Sequence, residues 1–161
     1  MAFAQFTELS PHFSPTPFHE KFGVVFHHSV MPFDATIALM CGATRPVSYH
    51  CLIAPDGRRC TLVEDDHVAW HAGASTFNGR SRCNDFMLGV AFAGDTYAEP
   101  LTSDQLASAL EWLDSRWRRY GWSEERMTDH RQVAPERKND LNPVEWERLR
   151  RSIAERFGVL R

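Results

Sequence analysis

Residues 22–27 have the sequence FGVVFH, a short run of β-branched and aromatic side chains that predicts a buried strand. A second apolar run, MLGVAFAG at 87–94, predicts another. Between them, VSYHCLIA at 47–54 and RCTLVED at 59–65 flank PDGR, which is typical of a type I or II turn. These two segments therefore predict a β-hairpin. A last short strand is expected near RMTDHR at 126–131.

Two segments between the strands have helical patterns. Residues 34–41 predict a short helix with Asp34 as its N-cap, because an Asp side chain accepts hydrogen bonds from free amides of the first turn. The pattern over 102–120 is clearer, with apolar side chains on one face. Thr102 and Gln105 have the spacing of a capping box at its start.

A further helix begins after Asn142, which precedes a proline, and covers residues 143–158. Strands interleaved with helices predict an α/β fold, a single three-layer domain with a central mixed β-sheet flanked by helices. We expect one domain over residues 1–161. Within it, residues 1–20 form an irregular N-terminal arm and residues 22–142 the motif-bearing core.

The composition restricts the classes of partner. The 161 residues include 18 basic and 21 acidic side chains, which gives a net charge of −3. No strong positive field exists to gather nucleic acid or anionic lipid, so neither is an expected partner. No apolar run approaches the roughly 20 residues that span a bilayer. The four cysteines contain no C-x-x-C pair and are expected to be free thiols.

The eight histidines are unusual for this length. His27 and His28 end the first predicted strand, where adjacent side chains point to opposite faces, so only one readily faces a given site. The segment DHRQVAPERKND contains His130, Lys138 and Asp140. Two imidazoles and a carboxylate form a competent zinc set that leaves a fourth position for water. The alternative is a core histidine and a solvated charged loop, and the spacing alone is not diagnostic because H-E-x-x-H is absent.

Five motifs together carry a resemblance to a known family. In chain order they are FHHS at 26–29, VSYHCLIAPDG at 47–57, AWHAG at 69–73, RCNDFMLGVAFAGD at 82–95 and DHRQVAPERKND at 129–140. The set resembles the zinc-dependent N-acetylmuramoyl-L-alanine amidases (amidase type 2). That family includes cytoplasmic anhydro-muropeptide amidases, phage lysozyme-type endolysins and peptidoglycan-recognition proteins. Five ordered motifs are more specific than any one alone.

The resemblance implies one Zn²⁺ per chain. By position in the motifs, His27, His130 and Asp140 match the zinc ligands, with Asp140 as in the cytoplasmic branch. Lys138 matches a lysine that supports the developing oxyanion, since an ammonium near the scissile carbonyl stabilises charge that appears only in the transition state.

One position departs from the family pattern. The cytoplasmic branch resembles I-G-I-E-L-x-G in its later strand, with the Glu acting on the water, whereas this chain has LGVAFAG and Ala91 at the matching position. The endolysin-like branch also lacks the Glu and has a Tyr in the motif that matches VSYH, where this chain has Tyr49. The resemblance therefore implies a catalytic role for Tyr49. The alternative for Tyr49 is a half-buried aromatic residue on a strand.

The motifs also supply weaker candidates for substrate binding. Each has a structural alternative, as packing, loop scaffolding or a buried hydrogen bond. These residues are His71, Arg82, Asn84, His28 and Trp70.

The resemblance implies a hydrolase that cleaves the bond between N-acetylmuramic acid and L-alanine in peptidoglycan or soluble muropeptides. The alternatives are a non-catalytic peptidoglycan-binding module of the same fold and a zinc amidase for an unrelated amide. The first residues, MAFAQFTELSPHF, lack the regions of a secretory signal, which predicts a cytoplasmic protein. Release to the cell wall through a phage holin or by toxin export is the alternative.

Overall fold

The computed structural model describes residues 2–158. Short strands form most of its sheet structure. In chain order they are β1 (Gln5–Thr7), β2 (Phe13–Ser14), β3 (Gly23–His28), β4 (Cys51–Ile53), β5 (Arg59–Thr61), β6 (Val68–Ala69), β7 (Thr76–Phe77), β8 (Arg80–Ser81), β9 (Met87–Phe92) and β10 (Met127–Asp129).

The central sheet has six strands in the order β1-β5-β4-β9-β3-β10. The β4–β5 hairpin is antiparallel, and every other neighbouring pair in this sheet is parallel. The sheet is therefore mixed, as predicted. Two small antiparallel pairs, β2 with β6 and β7 with β8, lie outside it.

Strands β3 and β9 are neighbours inside the sheet, and all six residues of each are buried. Burial on both faces explains why their sequences are continuous apolar runs rather than alternating ones. The two faces nevertheless differ along β3. Phe26 packs into the larger core, whereas the ring of His27 lies against that of Tyr49, with 5.2 Å between centroids.

Four α-helices accompany the sheet within residues 2–158. They are α1 (Phe33–Cys41), α2 (Ser103–Trp117), α3 (His130–Val133) and α4 (Pro143–Phe157). Helices α2 and α4 cover one face through Trp112 and Leu149. Helix α1 covers the other through Phe33 and Met40, which pack on Leu52 of β4. The predicted α/β fold, with a mixed sheet between helices, is confirmed.

Two of the three predicted helix starts are confirmed. Thr102 accepts a hydrogen bond from the amide of Gln105, and the Gln105 side chain completes the capping box. Asn142 accepts from the amide of Val144. The prediction for Asp34 is wrong, because α1 begins one residue earlier and Pro32 occupies the N-cap. The side chain of proline has no hydrogen-bond acceptor, so α1 begins without a side-chain cap.

The expected irregular arm over residues 1–20 needs a correction. Residues 5–7 form β1, which extends the sheet by pairing in parallel with β5. All three residues of β1 are exposed, so their sequence carries no burial pattern. The strand forms because the outer backbone groups of β5 need partners, a constraint that local sequence does not reveal.

The four cysteines are free thiols, as predicted, and burial raises the pKa of Cys51 to about 12. None of the helices within residues 2–158 combines the length and the apolar character that a membrane crossing requires.

Candidate metal centre

Two histidines meet at one edge of the central sheet. His27 lies near the carboxyl end of β3, and His130 directly follows β10 as the first residue of α3. Because β3 and β10 are parallel neighbours, their carboxyl ends lie at the same edge, where α/β proteins commonly bind ligands. The Nδ1 atoms of the two rings are 3.0 Å apart.

Asp140 completes the cluster from the segment that follows α3. Its Oδ1 is 3.4 Å from Nδ1 of His130, and its Oδ2 is 3.7 Å from Nδ1 of His27. The backbone N–H of His28 donates to Oδ2 at 3.1 Å, which orients the carboxylate. The three candidate ligand atoms all lie within 4.8 Å of one another, and the three residues are buried.

The hydrogen-bond partners fix which nitrogen of His130 carries the proton. Its Nε2 lies 3.0 Å from the backbone oxygen of Ala72. A carbonyl oxygen only accepts, so Nε2 of His130 is the donor. In this tautomer the lone pair is on Nδ1, which faces the cluster.

The tautomer of His27 follows in the same way from its contact with the ring of His71. Nε2 of His71 lies 3.1 Å from the backbone oxygen of Met87 and must donate to it. Nδ1 of His71 is then an acceptor, and it lies 3.0 Å from Nε2 of His27. His27 thus carries its proton on Nε2, and its Nδ1 also presents a lone pair.

This donor set fits a divalent metal. Two lone pairs facing each other at 3.0 Å beside a carboxylate repel one another unless a cation lies between them. Burial, and next the neighbouring His130, hold the pKa of His27 well below its usual range, so the ring is neutral, as a ligand must be. Two imidazole nitrogens and a carboxylate oxygen are the protein ligands of many catalytic zinc sites.

Asp129 holds the segment that carries two of the candidate ligands, and the motifs did not single it out. It is completely buried and caps α3 by accepting from the amide of Gln132 at 3.1 Å. Its Oδ2 accepts from the amide of Leu141 at 3.0 Å. The carboxylate of Asp129, which directly precedes His130, therefore holds the backbone of Leu141, which directly follows Asp140. The sequence pattern predicted a strand near residues 126–131 and no helix directly after it, so it contained no signal for this cap.

A cleft of about 380 Å³ opens beside the cluster. Tyr49 and Lys138 border it together with Asp140, so the structure brings the predicted catalytic residues to the predicted ligands. Tyr49 precedes β4 rather than lying on a strand. Burial, and next the charge of Asp140, raise the pKa of Tyr49, so its phenol keeps a proton that it can donate at neutral pH. Arg45 also borders the cleft.

Ala91 lies opposite His27 in the register of β9 and β3. It is fully buried in the apolar cluster against which Tyr49 packs. The position that is acidic in the cytoplasmic branch is therefore part of an apolar surface behind Tyr49.

The five weaker candidates divide into two groups. Trp70, His71 and His28 border the cleft. Both ring nitrogens of His71 already face protein partners, as described above, and Nδ1 of His28 lies 2.8 Å from the hydroxyl of Thr96. These contacts position the site, and substrate contact by the three residues stays a prediction.

Arg82 and Asn84 lie outside this cleft. Arg82 is exposed and pairs with Asp85 at 3.2 Å. Oδ1 of Asn84 accepts from the backbone amides of His71 and Ala72 at 3.1 and 2.8 Å. The side-chain oxygen of Asn84 thus holds the backbone at His71, and substrate contact by Arg82 and Asn84 stays a prediction.

Comparisons with known proteins agree with this geometry. The family model for N-acetylmuramoyl-L-alanine amidase matches residues 20–143. The 1,6-anhydro-N-acetylmuramyl-L-alanine amidase AmpD of Citrobacter freundii is 44% identical over 107 residues, covering 65% of this chain and 56% of that protein. The protein of the same name from Salmonella typhimurium (strain SL1344) is 40% identical over 126 residues, covering 76% and 63%.

A crystal structure of a selenomethionine derivative of AmpD is similar over 94% of this chain and 95% of that one, with a TM-score of 0.81 and 31% identity. The chain spans less than two thirds of the length of the two curated relatives. The matched region includes the whole cluster of two histidines and Asp140. The chain therefore belongs to the N-acetylmuramoyl-L-alanine amidase family.

Proposed function

We propose that the chain is a zinc-dependent hydrolase that cleaves the amide between the lactyl group of N-acetylmuramic acid and L-alanine. The observation that carries the proposal is the pair of opposed Nδ1 lone pairs of His27 and His130 beside the Asp140 carboxylate. This set lies at a cleft that also presents an ammonium and a phenol. The names of the relatives supply the bond that would be cleaved.

One Zn²⁺ per chain would be held by Nδ1 of His27, Nδ1 of His130 and a carboxylate oxygen of Asp140. When bound, zinc supplies a Lewis acid for the carbonyl and makes water acidic enough to attack near neutral pH. The protein's contribution is to set the tautomers of the two imidazoles through Ala72 and His71 and to keep Asp140 oriented by the amide of His28.

The side chains at the cleft would stabilise the transition state. Addition of water to the lactyl carbonyl places negative charge on its oxygen. The C–N bond then breaks, and the proton lost by the attacking water passes to the nitrogen of L-alanine, which leaves as the amine. The ammonium of Lys138 is a donor for that oxygen, and the protonated phenol of Tyr49 is a second one. Ala91, opposite His27, offers no carboxylate. We therefore assign the polar role on this side of the cleft to Tyr49, which borders it.

The relatives are named for 1,6-anhydro-N-acetylmuramyl-L-alanine, so we propose a soluble anhydro-muropeptide as the preferred substrate. A cytoplasmic location agrees with such a substrate and is proposed with it. Cell fractionation tests the location. Limited proteolysis that leaves one resistant core would support the proposed single domain.

The experiment compares soluble anhydro-muropeptides with intact sacculi, with the products identified by mass. We expect release of stem peptide by the zinc-loaded protein, loss of release after EDTA treatment, and recovery when zinc is restored. His130→Ala should bind no zinc and release nothing, whereas His67→Ala, which changes a histidine outside the cluster, should behave as the wild type.

Persistent release by zinc-free His130→Ala would refute the proposed mechanism. A wild-type protein that binds muropeptide but retains no zinc would instead be a non-catalytic binding module, and the proposal would fail. Zinc content and product mass measured on the same preparation distinguish these outcomes.

A further inference from the structure

His71 is a buried histidine beside the cluster that is not one of the three candidate ligands. Its two ring nitrogens have different partners. Nδ1 is 3.0 Å from Nε2 of His27, and Nε2 is 3.1 Å from the backbone oxygen of Met87. A continuous line of hydrogen bonds therefore runs from a backbone carbonyl of β9 to a ligand imidazole on β3.

The direction of every proton in this line follows from its fixed end. The carbonyl of Met87 has no proton to give, so Nε2 of His71 must donate to it. A neutral ring that donates from one nitrogen accepts at the other, and the proton of His27 is therefore held on Nε2. In a metal-ligating histidine, the partner of the second nitrogen sets the tautomer of the first.

The ring of His71 is held firmly enough to act in this way. A Cβ at Gly89 would lie 2.4 Å from Cγ of His71, so the ring packs directly on the glycine backbone. The backbone amide of His71 donates to Asn84 at 3.1 Å. The ring of His50 lies beside it, with centroids 6.0 Å apart at an interplanar angle of 66°.

We propose that His71 is a positioning residue that locks His27 in the Nε2–H tautomer and so keeps Nδ1 of His27 free for the metal. This inference deepens the proposed function, because it rests on a metal between His27 and His130. It also gives a reason for the close approach of Gly89, where any side chain would displace the ring of His71.

Replacing His71 by Asn or by Gln tests its two ring nitrogens separately, because each amide side chain keeps only one of the two contacts. Asn places its side-chain oxygen near the position of Nδ1 and keeps an acceptor for His27. Gln reaches the position of Nε2 and keeps a donor for Met87 but leaves His27 without its acceptor. The two variants are matched in charge and chemical type, and they differ by one methylene.

Zinc affinity, measured by competition with a chromogenic chelator, is the first readout. We expect His71→Asn to bind zinc close to wild-type affinity and His71→Gln to bind about 10–100-fold more weakly, as when the outer partner of a ligand is lost. Equal weakening in both variants would overturn the proposal, because the acceptor at Nδ1 would then have no special importance.

The second readout is the ¹⁵N NMR signal of the His27 ring in metal-free wild-type protein, which needs no variant to fold. We expect a neutral ring protonated at Nε2, and a ring protonated at Nδ1 would refute the inference. A wild type that shows the expected tautomer but binds no zinc would instead refute the proposed function.

Discussion

Replacement of Asp129 by alanine tests how the two ligands on the same segment are held. Asp129 accepts from the amides of Gln132 and Leu141, so it fastens both ends of the segment that carries His130 and Asp140. We expect Asp129→Ala to lower both the stability of the metal-free protein and its affinity for zinc. Stability falls because backbone donors lose their acceptor, and affinity falls because the carboxylate of Asp140 is no longer held in place.

The size of the stability loss follows from the two amides. Leu141 is completely buried, and leaving its N–H without a partner costs about 1–3 kcal/mol. Removal of the N-cap of α3 costs about 1 kcal/mol more. The expected decrease in the free energy of unfolding is therefore about 3 kcal/mol.

Urea unfolding of the metal-free protein measures this decrease, and chelator competition measures zinc affinity. Asp114→Ala is the matched control, because Asp114 is half exposed and pairs with Arg156 at the surface, where an ion pair contributes about 0–1 kcal/mol. A loss below about 1 kcal/mol for Asp129→Ala, or unchanged zinc affinity, would contradict the reasoning.

Three further predictions follow from the same geometry. Tyr49→Phe should lower kcat more than it raises KM, because the lost phenol acts in the transition state, and equal kinetics in Tyr49→Phe and the remote control Tyr120→Phe would remove Tyr49 from the mechanism. Zinc at about 100 times its Kd should stabilise the protein by about 2.7 kcal/mol in thermal unfolding, with no effect on His130→Ala. Burial raises the pKa of Asp65, but its ion pair with Arg116 outweighs burial and holds the pKa below its usual value. The pair therefore stabilises the folded protein above the ordinary Asp pKa of about 4, and this stabilisation is lost as the pH falls through the lowered pKa. Below about pH 4, the free energy of unfolding should therefore fall less steeply with decreasing pH in Asp65→Asn than in the wild type. Identical pH profiles of the two proteins would refute this role of the ion pair.

The parts of the fold predicted from sequence are those with local signals. Strands β3 and β9 were recognisable as short apolar runs, and the caps of α2 and α4 were recognisable from Thr102 and Asn142. Strand β1 was not, because its pairing with β5 joins distant segments and its side chains face solvent. The N-cap of α1 was misplaced by two residues, because Pro32 rather than Asp34 occupies it.

The candidate site was predictable in its residues but not in its arrangement. His27 and His130 are 103 residues apart, so only the parallel pairing of β3 and β10 brings them together, and their spacing carries no signal. The five motifs supplied their identity by resemblance. The role proposed for His71 depends on the backbone carbonyl of Met87. Every residue has such a carbonyl, so the residue type at position 87 could not indicate this contact.

The two outer strands of the central sheet have a consequence for how the protein behaves in concentrated solution. An edge strand carries unpaired backbone groups that can recruit a strand of another molecule. Here both edges, β1 and β10, are only three residues long. Strand β10 is followed directly by α3, and the side chains of β1 are exposed. The long, apolar strands lie inside, so the sheet that assembles the metal ligands offers other copies little template for edge-to-edge aggregation.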